Sequence, residues 1–148
     1  MTVLVSSCAG DRATLRDELL AVHNDVELGE GCVPWWELKR LELLECDAVP
    51  QLVALLTDKA EVKNYRHHFN GRATVGAMAF FALGEMDEGL WEDVAYADQP
   101  SDGVLGFLAK MWESPEPIRD AVVRRGVKCP AGGIKARAFD KMCPEPAR

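Results

Sequence analysis

The sequence predicts an all-α protein, a compact bundle of about five to seven helices. Three observations carry that expectation. Apolar residues recur three and four positions apart through most of the chain, the period of a helix with one buried face. Runs that alternate apolar and polar residues, the mark of half-buried strands, are scarce. One stretch, Val75 to Leu83, carries no charge, and a helix apolar on every side belongs inside a core.

The first helix is expected from Asp11 or Arg12 to about Val26, with Leu15, Leu19, Val22 and Val26 along one stripe. Gly29-Glu30-Gly31 ends it. Pro34 suits the first turn of a second helix, whose face holds Trp35, Leu38, Leu41 and Cys46, broadened by Trp36, Leu43 and Leu44. Asp47 fits an N-cap, with Pro50 in the first turn of a third helix carrying Leu52, Val53, Leu55 and Leu56. A polar connection over 59–72 follows, punctuated by Val62, Tyr65 and Phe69, and Asn70-Gly71 marks the turn of a small hairpin within it. Thr74 reads as the N-cap of the uncharged fourth helix, which runs to about Gly84. An acidic stretch then leads to Pro100-Ser101-Asp102, the start of a fifth helix reaching Glu113 with Val104, Phe107, Leu108 and Met111 inward. Ser114-Pro115 opens a sixth helix that ends at Gly126, with Ile118, Val122 and Val123 inward. A short helix from Ile134 to Met142 is expected before Pro144 and Pro146.

The 148 residues suit one domain, placed at 11–148 behind a flexible or processed segment at 1–10. Apolar content of 48% and charged content of 28% are ordinary for a globular chain. The net charge of −7 argues against general nucleic-acid binding, which needs clustered Lys and Arg, and favours a partner with a basic surface.

No apolar run approaches the length of a membrane span. Val5-Ser6-Ser7-Cys8 resembles a bacterial lipobox, which makes Cys8 a candidate lipidation site, although a basic leader and a full apolar segment are missing before it. The alternative is a plain N-terminus and a cytoplasmic protein. Setting Cys8 aside leaves four of the five cysteines, an even number that fits two bridges in an oxidising compartment. Pairing of neighbours joins Cys32 to Cys46 and Cys129 to Cys143. Reduced, buried thiols are the competing reading. The expected location leans to a periplasmic or outer-membrane lipoprotein.

Chemistry finds little support in the motifs. No G-x-S-x-G, H-E-x-x-H or phosphate loop is present, no Cys-x-x-Cys pair exists, and no metal or cofactor site is expected. His23 lies among apolar helix residues. A cysteine-dependent enzyme stays open as a minor alternative, because a thiol nucleophile needs a neighbouring base that a sequence does not display. Two polar segments are the candidate partner-binding surfaces. One is the hairpin connection with Tyr65, Arg66, His67, His68 and Phe69. The other is the acidic–aromatic stretch with Glu85, Asp87, Glu88, Trp91, Glu92 and Asp93.

Between Asp47 and Met86 the chain resembles a HEAT-type helical repeat. Ala48-Val49-Pro50-Gln51-Leu52-Val53-Ala54-Leu55-Leu56-Thr57-Asp58 stands in the place of its first helix, and Ala73 to Met86, with Ala79, Ala82 and Leu83, in that of its second. Val62 and Arg66 resemble the valine–arginine step between the two. The connection is too long for that family and no second copy follows at a fixed period. The resemblance implies a packed helix pair and a protein-binding scaffold without catalysis. Size, acidity, helicity, the lipobox-like segment and the further cysteines together resemble small bacterial immunity proteins, which neutralise toxic effectors. That likeness implies an inhibitor that occludes its partner's active cleft. An adaptor or assembly subunit is the alternative.

Overall fold

A computed structural model of the chain describes residues 15–22, 45–66, 72–97 and 103–130. Residues 15–20 are helical (α1). A single 3-10 turn at Cys46–Ala48 leads into α2 (Val49–Leu55). An antiparallel hairpin follows, β1 (Glu61–Arg66) and β2 (Arg72–Thr74), and then α3 (Val75–Met86). A wide π-type turn at Trp91–Ala95 precedes α4 (Gly103–Glu113) and α5 (Glu116–Arg125). The protein is mostly helical, with one two-stranded sheet among the described residues.

α3 is the centre. Every residue in it except Glu85 is buried, as the uncharged run from Val75 to Gly84 requires. Its first N–H groups are the ones an α-helix leaves without internal partners. Val75 and Gly76 donate to the carbonyls of Ala60 and Asp58, and Ala77 donates to Thr74 Oγ1 at 3.1 Å, so Thr74 is the cap that the sequence predicts. α2 lies so close that a Cβ on Gly76 would overlap the Leu56 carbonyl oxygen. That close approach explains why a residue poor for helices sits in the first turn of this one.

Several expectations shift by a turn or a face. Leu15, Leu19 and Val22 are buried as predicted, but residues 21 and 22 have left the helix; its predicted start at Asp11 or Arg12 and end at Val26 lie outside the described residues. Asp47 does not cap α2; the 3-10 turn absorbs it, and Ala48 takes the cap position without a side-chain bond. Leu52 on α2 and Leu56 at its C-cap are fully buried, whereas Val53 and Leu55 are only partly covered, so this helix buries one side. α5 buries Ile118 and Val122 but leaves Val123 62% exposed. At 3.6 residues per turn, positions 118 and 122 lie about 40° apart, and position 123 falls about 100° beyond them, off the buried stripe. The final helix predicted at Ile134–Met142 and the helix predicted from Pro34 lie outside the described residues.

The hairpin occurs where Asn70-Gly71 predicts a turn, although residues 67–71 are not described. Its register pairs Glu61 with Thr74, Val62 with Ala73 and Arg66 with Arg72. β1 therefore carries extra residues between Val62 and Arg66, a bulge that faces Lys63 and Asn64 to solvent while Tyr65 turns inward. α4 covers this region: Trp112 Nε1 donates to the Arg72 carbonyl at 2.9 Å, and Lys59 Nζ donates to the Glu113 carbonyl at the end of α4.

One bridge links Cys46, before α2, to Cys129, after α5. The pairing of sequence neighbours is therefore corrected: Cys46 joins neither Cys32 nor any cysteine close to it in sequence. Disulfides follow proximity in space, and the fold returns the end of α5 to the start of α2. Cys8, Cys32 and Cys143 lie outside the described residues.

Candidate functional site

The acidic turn after α3 owes its shape to one arginine. Asp87 is the C-cap residue of α3, and its backbone N–H still donates to the Leu83 carbonyl. Only 8% of Asp87 is exposed. Arg125, in the last turn of α5, reaches it with two nitrogens: Nη1 to Oδ2 at 2.7 Å and Nη2 to Oδ1 at 3.3 Å. The same guanidinium donates through Nε to Asp93 Oδ2 at 2.6 Å. Lys128 adds its backbone N–H to Asp87 Oδ2 at 2.8 Å. One planar, rigid cation thus joins the two ends of the turn, a geometry an ammonium group does not supply.

The electrostatics follow from these contacts. Burial alone would raise the Asp87 carboxyl. The Arg125 hydrogen bonds, the Lys128 N–H, the Arg125 charge and the Gly89 N–H together outweigh burial and hold it below the usual carboxylate range. Arg125 is held further above its ordinary value, first by its bond to Asp87 and then by that to Asp93. A second ion pair of the same kind ties α1 to the connection after α2. Arg16 Nε donates to Asp58 Oδ2 at 2.6 Å, and Asp58 Oδ1 accepts the Ala60 N–H.

Between Asp87 and Asp93 the chain turns widely. The Tyr96 N–H donates to the Trp91 carbonyl at 2.9 Å, a span of five residues. This widening buries Leu90, Val94 and Ala95 and lays Trp91 across the core aromatics. The indole centroid lies 5.0 Å from Phe80, 5.4 Å from Phe81, 5.6 Å from Tyr96 and 5.4 Å from Phe107. A Cβ on Gly84 would overlap that indole.

The predicted contact residues therefore separate. Trp91 is a packing residue, not a projecting anchor. Asp87 and Asp93 are held within the molecule by Arg125. Glu88 and Glu92 are exposed on the outer side of the turn, and Glu85 is half-buried on α3. Tyr65 is fully buried against Phe81, with ring centroids 5.9 Å apart, and burial pushes its phenol up. It is not available to a partner, which corrects its place among the contact residues. Arg66 is paired through the β1 backbone, while His67, His68 and Phe69 lie outside the described residues. Trp112 lies half-buried beside the hairpin, with the Arg72 guanidinium 5.0 Å above its ring.

Arg125 is the residue that sequence reading missed. Its signal was present in weak form: two acids six positions apart need a cation, and Arg124-Arg125 stands just before the glycine that ends α5.

Two surface hollows flank the turn. One, of about 570 Å³ and wide open, lies between Asp87, Glu88, Gly89 and the strand of chain at Lys128 and Cys129. The other, of about 470 Å³ and more enclosed, lies between the π-type turn, the end of α4 and α5. Among the described residues no three His, Cys, Asp or Glu side chains gather as a metal site requires. None of the described helices is long and apolar enough to cross a membrane. Compared with known proteins, the chain matches no family model, no curated protein and no solved structure.

Proposed function

We propose that this protein is a non-enzymatic inhibitory binder, of the kind that an immunity protein represents, and that it occludes a basic cleft on its partner. One observation supports the reading above the others: Arg125 clamps Asp87 and Asp93 and fixes the turn that carries Glu88 and Glu92 outward. A rigid acidic turn loses little conformational freedom on binding, so more of its electrostatic attraction appears as affinity. Asp87 and Asp93 shape the turn; Glu88 and Glu92 meet the partner's Lys and Arg.

The Cys46–Cys129 bridge is consistent with work in an oxidising compartment, such as the periplasm. The contact between α2 and α3 is consistent with the scaffold that the HEAT-type resemblance implies.

The test is protection. Co-expression with products of adjacent open reading frames should rescue growth from one toxic product, and a tagged copy should capture that product. Absence of rescue by every neighbour, with no toxin or hydrolase captured from the source organism, would refute the proposal and leave the adaptor alternative.

A further inference from the structure

The more enclosed hollow beside the acidic turn has a chemistry of its own. Val94, Ile118 and Ala121 form its apolar floor; the first two are 6% and 5% exposed. Lys110 on α4 and Arg124 on α5 stand at its rim. Neither cation has a hydrogen-bond or ion-pair partner among the described residues, in contrast to Arg16, Arg119 and Arg125, whose guanidinium groups are all paired with carboxylates. Asp93 also lines the hollow, but its carboxylate is already held by Arg125. Arg125 shares its one charge between Asp87 and Asp93, so Asp93 is only partly neutralised; Lys110 and Arg124 still outnumber it, and the rim is net positive on a protein whose net charge is −7.

Each cation lies in the last turn of its helix, where it complements the helix dipole. That role does not require the two helix ends to meet over one apolar floor. Their convergence there, neither of them paired with Asp93, fits a carboxylate supplied from outside.

We infer that this groove receives a protein segment bearing an apolar side chain next to a carboxylate, the apolar group on Val94, Ile118 and Ala121 and the carboxylate between Lys110 and Arg124. A volume near 470 Å³ accommodates a few side chains of such a segment. Its open side suits a chain passing through better than a small ligand that must be enclosed. Charge complementarity selects the sign: a segment with Lys in place of the carboxylate would meet two like charges. The inference rests on the binder reading only in taking a protein as the occupant. It adds that the partner presents an acidic–apolar element beside its basic one.

The experiment uses the full chain, isotope-labelled for amide NMR. The probes are a short synthetic peptide with Leu and Glu one helical turn apart, its Lys-for-Glu counterpart, and decanoate. The Leu–Glu peptide should move the amides of Lys110, Ala121 and Arg124. Its affinity should fall about tenfold in K110E/R124E and decline as salt rises. Ala121→Leu, which fills the floor without altering charge, should weaken it as well. Circular dichroism and thermal melting confirm that the variants fold. Binding of the Lys peptide as tight as that of the Leu–Glu peptide, unchanged binding to K110E/R124E, or no groove perturbation would each overturn the inference. Decanoate binding more tightly than the peptide would also overturn it, in favour of a small amphiphile. Glu88→Lys/Glu92→Lys separates the two proposals: it should deplete capture of a basic partner at least about tenfold and leave peptide binding at the groove intact.

Discussion

Replacing Arg125 by Met keeps most of the side chain's length and removes its charge. The change deletes two ion pairs at once, to Asp87 and to Asp93. The two are not equal. Asp93 is an exposed partner, its side chain 56% accessible, and an exposed pair contributes a few tenths of a kcal/mol at most. Asp87 has a side chain only 8% accessible, and there the loss leaves a carboxylate without its cation. A fully buried pair broken in this way costs about 3–5 kcal/mol. Arg125 keeps 19% of its side chain in water, and Asp87 retains the Lys128 N–H, so the cost should be smaller, about 2 kcal/mol. Urea unfolding followed by tryptophan fluorescence measures it, with the midpoint lowered and the slope unchanged. The corresponding fall in melting temperature is about 4–8 °C. A cycle with Asp87→Asn isolates the pair, and the coupling should exceed ~1 kcal/mol. A loss under ~0.5 kcal/mol, with no coupling to Asp87, would refute the reasoning, because Arg125 would then act as an ordinary surface residue.

Three further outcomes follow from the same contacts. The carboxyls of Asp87 and Asp58 are both held below their ordinary values. Their contribution is therefore complete above about pH 4 and lost as pH falls through their lower folded values; urea midpoints taken on acidification should fall, and less steeply in Asp87→Asn. Gly84→Ala gains about 1 kcal/mol of helix propensity but drives a methyl into the packed Trp91 indole, so it should destabilise by roughly 1–2 kcal/mol net and alter the near-ultraviolet dichroism; a stabilised variant would mean the indole moves aside freely. Removing the bridge with Cys46→Ser and Cys129→Ser opens a loop spanning 83 residues, worth up to ~4.5 kcal/mol in the chain-entropy model, and non-reducing peptide mapping that joined Cys46 to a different cysteine would contradict the fold's closure.

How much was legible in the sequence depended on whether the signal was local. α3 was readable because Val75 to Gly84 is apolar on every side and its cap, Thr74, is the residue just before it. Phe107, Leu108 and Met111 were readable for the same reason, a period set within one helix. Val123 was misplaced although the phase was available: counted from Ile118, helical spacing puts Val122 on the buried stripe and Val123 about 100° off it. Trp91 looked like an anchor because its neighbours in sequence are acidic. Its neighbours in space are Phe80, Phe81 and Phe107, and those come from helices on either side of the turn. Asp87 and Asp93 meet a cation from the end of α5, and Cys46 meets a cysteine from beyond it. Such long-range partners leave no periodic trace. Within the segment Glu85–Asp93 nothing in the sequence marked this division: Asp87 and Asp93 shape the turn through Arg125, Glu88 and Glu92 face outward, and Glu85 is half-buried on α3.

The central claim is that the outward acids of a rigid turn bind a basic partner. Its most direct measurement is quantitative capture from source-organism extract by the wild-type chain and by Glu88→Lys/Glu92→Lys, each checked for a native melting profile. The account predicts one protein with a basic surface that is enriched by the wild type, depleted at least about tenfold by the variant and released by salt. Equal recovery of the same partners by both chains would contradict it.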